Sequence, residues 1–251
     1  MMTMKKMIVG TNIEKSFGQE KILRNVSVEI EAGEFVSIMG PSGSGKTTLM
    51  FALSGMDEID EGSVQFDGKE LATLSENALA DLRRKQMGFV FQQPTLLKNL
   101  NVLDNIVLPA QKGNEKQAGN LMKKGQTLME KMGIAGLEQR DITQVSGGQL
   151  QRAGICRALM GDPQIIFGDE PTGALNSKSA QEIMTLLSEI NQQGTAICLV
   201  THDAKVAAQT QRVLFMSDGQ IVSEMQFFPE DDLNLEEKMV QVTEKMREIE
   251  I

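Results

Sequence analysis

The segment Gly40-Pro41-Ser42-Gly43-Ser44-Gly45-Lys46-Thr47-Thr48 meets the spacing G-x-x-x-x-G-K-[ST], whose residue types suit the phosphates of a nucleoside triphosphate. Its glycines let backbone N–H groups turn inward around phosphate oxygens, Lys46 neutralises the outer phosphates, and Thr47 offers a hydroxyl to Mg²⁺. A second constellation lies downstream in Ile165-Ile166-Phe167-Gly168-Asp169-Glu170. An apolar run ending in two carboxylates sets one beside a metal ion and the other beside an attacking water. Asp169 is expected to hold the metal's shell and Glu170 to polarise the water.

These residues need a scaffold. Glu34 to Met39 predicts a buried strand entering the glycine-rich loop, and Lys46 to Leu53 the helix leaving it. The first 35 residues alternate apolar and polar, most clearly at Val26, Val28 and Ile30, and Val64 and Phe66 alternate before the turn dipeptide Asp67-Gly68. Both patterns predict antiparallel strands. Met87 to Phe91 reads as another strand, after which Gln92-Gln93-Pro94 opens a mostly helical lobe running to about Met160. Within that lobe Leu121, Leu128 and Met132 fall on one helical face, and Gly133 ends the helix. Apolar runs at Ile165–Gly168, Ala196–Val200 and Val213–Met216, with a helix carrying Ile183, Leu186, Leu187 and Ile190 between the first two, predict a parallel sheet.

From Leu235 the apolar residues Leu235, Met239, Val242, Met246 and Ile249 repeat at heptad spacing. Two heptads fall short of the three or four that mark a coiled coil, so this stripe predicts a helix packed on its own domain rather than a dimer zipper. No apolar stretch approaches the ~18 to 20 residues that cross a bilayer. Met1 to Met7 carries two lysines and no apolar run of leader length, which points to a soluble chain at a cytoplasmic address. A net charge of −9 argues against nucleic acid as a partner. Cys156 and Cys198 stand far apart with no second cysteine near either, so a redox pair or zinc knuckle is excluded and both read as core residues.

Between the loop and the carboxylate strand comes Ser146-Gly147-Gly148-Gln149 followed by Arg152, which resembles the signature motif of ABC ATPases and occurs in that family's order. Other positions match it: Gln92 resembles the family's Q-loop glutamine, His202 its switch histidine and Phe17 the aromatic residue that stacks on adenine. The resemblance covers residues 8–224. It implies an α/β P-loop NTPase fold with a RecA-like parallel-sheet core, an antiparallel β subdomain and an inserted α-helical subdomain at about residues 94–160. The domain so defined spans residues 1–228, and residues 229–251 form a C-terminal helical extension.

The resemblance also implies a mechanism in which two such chains meet head to tail, forming a homodimer. Each ATP, with Mg²⁺, lies between one chain's Gly40–Thr48 loop and the other's Ser146, Gly147, Gly148 and Gln149. Thr47, Asp169 and Gln92 face the metal, Glu170 orients water, and His202 senses the γ-phosphate. A separate membrane permease is the partner, which puts the chain peripherally on the inner face of the cell membrane. The segment from Gln92 to Pro109 looks like the ATPases of lipoprotein-release, macrolide-efflux and antimicrobial-peptide-resistance systems. Cell-division ATPases share these features, so a regulatory role with slow turnover stays open beside transport. Nucleic-acid-acting members of the family carry long coiled-coil insertions or two nucleotide domains, whereas one phosphate loop and a short interval to Ser146 are present here. Val145 and Leu150 replace the family's usual Leu and Gln, and Asn176 replaces an Asp in Gly173-Ala174-Leu175-Asn176, which leaves the hydrolysis rate in question.

Overall fold

The computed structural model describes residues 5–113 and 117–250. The first residues of the stretch read above for a leader, and 114–116 within the expected helical lobe, lie outside the described residues. In chain order the elements are β1 (Lys6–Phe17), β2 (Glu20–Glu31), β3 (Phe35–Met39), α1 (Lys46–Leu53), β4 (Glu61–Phe66), β5 (Lys69–Glu70), α2 (Glu76–Gln86) and β6 (Met87–Phe91). There follow α3 (Val102–Gln111), α4 (Ala118–Lys131), α5 (Gly147–Leu159), β7 (Ile165–Asp169) and α6 (Ser177–Gln192). Last come β8 (Ala196–Thr201), α7 (Ala204–Ala207), β9 (Arg212–Ser217), β10 (Gln220–Gln226) and α8 (Leu235–Glu248). They form two compact units, Met1–Leu79 with Ala196–Ile251, and Ala80–Thr195.

The first unit holds two sheets. One is antiparallel in the order β2-β1-β4-β5, and its β2 buries Val26, Val28 and Ile30 while Ser27 and Glu29 face water, as alternation requires of a sheet covered on one side. The β4–β5 connection is Asp67-Gly68, both with positive φ, 49° and 74°, the twist that a two-residue hairpin needs. In the other sheet β3 lies between β8 and β9 and runs parallel to both. All five residues of β3 are buried, because a central parallel strand is covered on both faces.

The C-terminal stripe packs on its own unit. Val242 is fully buried with Phe215, Val213, Phe227 and Ala207, and Leu235, Met239, Met246 and Ile249 flank that cluster. Burying a valine and its neighbours supplies about 1.5–3 kcal/mol per side chain, which docks a 14-residue helix that would be marginal alone.

In the second unit β6 and β7 run parallel with Phe91 opposite Asp169. The chain therefore leaves both strands at one level, through Gln92 and Glu170. The helical face of α4 differs from the sequence expectation: its buried residues are Gly125 and Met129, joined by Met132 just beyond, while Leu121 and Leu128 are half-buried at the margins. A Cβ at Gly125 would lie 2.8 Å from Leu103 and 2.9 Å from Val107, so α3 and α4 meet at the glycine, which no hydrophobic pattern counts. Gly133, at φ 68°, ends the helix as expected. Helix α2 was not foreseen, since its one buried residue is Leu82 and a single apolar side chain makes no period.

Candidate functional site

The glycine-rich loop joins β3 to α1 in the first unit. Gly43 and Gly45 take φ of 84° and 95°, a region open to glycine at no steric cost. Gly40 has no room for a side chain, because a Cβ there would collide with the Met216 carbonyl on β9. Helix α1 starts at Gly45 with no side-chain cap and no acidic residue in its first turn, leaving its N–H groups and positive dipole end suited to an anion. Lys46 is buried and its ammonium donates to the Pro41 carbonyl at 2.7 Å, folded back across the loop. Ser44 Oγ is buried without a hydrogen-bond partner among the described residues. These features fit a polyphosphate.

Phe17 ends β1 opposite Glu20 on β2. Two residues on, the Ile22 carbonyl lies 3.1 Å from where a Gly45 Cβ would be, so the β1–β2 hairpin abuts the phosphate loop. His202 follows β8 and is exposed. Next to it, Asp203 donates its N–H to Thr201 Oγ1 at 3.0 Å and caps α7 by accepting from Lys205 N.

The second unit brings another set together. Asp169 closes β7, and Glu170 takes a positive φ of 45°, which costs a side chain on the order of 1–3 kcal/mol and persists where the surroundings enforce it. The turn after it is closed by Gly173 N–H donating to the Glu170 carbonyl at 2.9 Å. A Cβ at Gly173 would lie 2.8 Å from Gln92 Nε2 and 3.2 Å from Glu170 Oε2. Gln92 and Glu170 thus converge over the bare face of Gly173. Ser146 caps α5, accepting from Gln149 N at 3.4 Å while Gln149 Oε1 accepts from Ser146 N at 2.8 Å, a reciprocal capping box. Gly148 lets α5 approach Ser179 of α6, 3.3 Å from a Cβ position.

The family profile described as ABC transporter matches residues 23–173. The chain belongs to this family. A bacitracin export ATP-binding protein of Halalkalibacterium halodurans is 43% identical over 223 residues, 86% of this chain and 87% of that protein. A macrolide export ATP-binding/permease protein of Escherichia coli is 39% identical over 225 residues, 88% of this chain and 35% of that protein; the chain thus spans about a third of such fused relatives. A dimeric post-hydrolysis ATP-binding cassette bound to ADP and Pi matches with TM-score 0.79 and 36% identity, over 88% of this chain and 98% of the other. A second cassette, cbiO1 of Clostridium perfringens, matches with TM-score 0.80 and 25% identity over 98% and 97%. The chain is an ABC ATPase of α/β P-loop NTPase architecture, with ATP as its nucleotide.

Several contacts that hold the framework of this ABC ATPase were not visible in the sequence, even where the residue itself was noted. Gln151 is buried on α5 and donates to the Phe91 carbonyl at 3.0 Å, pinning the strand end from which Gln92 departs. Arg152, read as part of the signature, donates to the Met132 carbonyl at 2.8 Å and pairs with Glu182 at 2.7 Å, so it ties α4 and α6 to α5. Asn105 accepts from Leu97 N and donates to the carbonyls of Leu97, Leu100 and Asn101, folding the segment after Gln92. Asn176, noted above as a departure, caps α6 by accepting from Ser179 N at 2.9 Å. For Asn105 the available signal was an amide set among the apolar residues Val102, Leu103, Ile106 and Val107; Gln151 had none.

Proposed function

We propose that this ABC ATPase works as a head-to-tail homodimer that hydrolyses ATP to drive a permease carried on a separate chain, at the inner face of the membrane, exporting a peptide or antibiotic. The observation that carries the hydrolytic half is the convergence of Gln92 and Glu170 over Gly173. A carboxylate fixed beside an amide can hold and polarise a water molecule aimed at a phosphorus atom. In this reading Lys46 swings from the Pro41 carbonyl to the β- and γ-phosphates, the loop N–H groups from Gly40 to Thr48 hold the rest, and Phe17 stacks on adenine. The partner chain's signature serine and glycines complete the site. His202 contacts the γ-phosphate.

The oxygen donors of Thr47, Asp169 and the Gln92 side chain match what Mg²⁺ prefers. When bound, the ion neutralises charge developing on the phosphates. The similarity to a bacitracin export ATP-binding protein over nearly its whole length supports the assignment of cargo and the separate permease.

The test is to purify the chain with its membrane partner and compare ATP turnover of the wild type and Glu170→Gln. Loss of the carboxylate is expected to slow turnover on the order of 10²-fold or more. A wild type no faster than the variant overturns the hydrolytic reading and favours a nucleotide-binding regulator.

A further inference from the structure

The Phe17 ring is 54% exposed at the end of β1, and one of its faces is already taken. Lys15, two residues earlier and so on the same side of the strand, holds its ammonium 5.2 Å from the ring centroid. That ammonium is not a loose surface cation. The Lys15 side chain is only 12% exposed and pairs with Asp57 at 3.2 Å, and it donates to the Glu58 carbonyl at 2.6 Å. The same segment grips the strand by its backbone: Ser16 N donates to Asp60 Oδ2 at 2.6 Å, and Asp60 N to the Glu14 carbonyl at 2.8 Å. Residues 57–60, beyond the helix that leaves the phosphate loop, therefore fix the lysine, whose ammonium lies over the ring.

A cation held against one face of an aromatic ring is attracted by its π density and draws that density toward itself. The opposite face becomes a better platform for an electron-rich purine, in the offset stacking that aromatic pairs prefer. The ordering of the long lysine chain is complete before nucleotide arrives, so its entropy is not charged to binding.

We propose that Lys15 is a positioning residue for the nucleobase: clamped by Asp57 and the Glu58 carbonyl, it orients Phe17 and strengthens its stacking on adenine. This rests on the reading of Phe17 as the base platform. It adds a base-specific contribution to ATP affinity from a residue that touches no part of ATP.

The experiment measures equilibrium Kd values on the full chain for ATP and for inorganic tripolyphosphate, which has no base. The proteins are wild type, Lys15→Met, Lys15→Arg, Phe17→Ala and the Lys15→Met/Phe17→Ala double variant. Lys15→Met is expected to weaken ATP about two- to fivefold and to leave tripolyphosphate unchanged. Lys15→Arg, which keeps a cation able to lie on the ring, should restore affinity to near the wild-type value, and Lys15→Met should have no further effect once Phe17 is gone. An equal loss on tripolyphosphate, or an undiminished loss in the Phe17→Ala background, makes Lys15 a general structural residue and overturns the proposal. If Phe17→Ala weakens ATP while Lys15→Met does not, only this inference fails. If Phe17→Ala itself leaves ATP binding unchanged, the reading of Phe17 fails and carries this one with it.

Discussion

The backbone N–H of Gly219 donates to the carbonyl of Ser44 at 3.1 Å, tying the β9–β10 turn to the middle of the phosphate loop. Its own carbonyl accepts from Arg24 N at 2.9 Å, so one residue joins the loop to β2. Only glycine serves there, since φ is 77° and a Cβ would overlap the Ile22 carbonyl. Gly219→Ala is expected to cost about 2 kcal/mol of stability from the left-handed backbone alone, read as a fall in Tm. Releasing Ser44 should also raise the Kd for ATP about fivefold, the worth of one hydrogen bond near 1 kcal/mol.

Gly173 gives a different signature. The atoms that a Cβ would meet there are the side-chain ends of Gln92 and Glu170, which can move aside without unfolding the chain. Gly173→Ala should thus leave Tm and ATP affinity nearly unchanged while lowering kcat at least tenfold, because a misplacement of ~1 Å at a reacting group costs up to about 10²-fold. Parallel measurements of Kd and single-turnover rate separate the two effects.

What was legible in the sequence was whatever repeats or follows fixed spacing. The loop from Gly40 to Thr48 with its strand and helix, the alternation in β2 and the stripe of α8 all announced themselves, and each element lies where the pattern predicts it. Contacts made by single residues did not. Gly125 seats α3 against α4, yet a glycine adds nothing to a hydrophobic period. Asp218-Gly219 is the same turn dipeptide as Asp67-Gly68, with φ of 45° and 77°, but its importance lies in the Ser44 carbonyl, far away in sequence. Long-range backbone partners leave no local trace.

Asn105 is one such residue. It is buried, and its amide serves one N–H and three carbonyls between Leu97 and Asn101. Asn105→Asp keeps the acceptor but faces a carboxylate toward those carbonyls, so a loss of about 3 kcal/mol is expected. Limited proteolysis should find new cleavage between residues 95 and 101, and urea denaturation the lowered midpoint.

The neutral cap at Asn176 permits a gain. An aspartate accepts the same Ser179 N–H and adds a favourable charge at the N-terminus of α6, worth about 0.3–1 kcal/mol. Asn176→Asp should raise Tm slightly. If the missing charge limits exchange between the two ATP sites, turnover by the permease complex rises with it, and an unchanged rate would leave Asn176 as a cap and nothing more.

The two cysteines make the fold sensitive to alkaline pH. Cys156 and Cys198 are fully buried, and burial pushes each thiol from an ordinary value of 9.0 up to about 12. Thiolate is the reactive form, so neither should react with a disulfide reagent at pH 8 until the chain opens. In the unfolded chain both thiols release their protons near pH 9, whereas the folded chain keeps them to about pH 12. Over that interval the native state binds more protons, so stability falls as pH rises, by up to about 1.4 kcal/mol per pH unit for each thiol. The chain has no tyrosine to titrate in the same range. Urea midpoints at pH 8, 9 and 10 should therefore decline, and the Cys156→Ala/Cys198→Ala variant should decline less steeply.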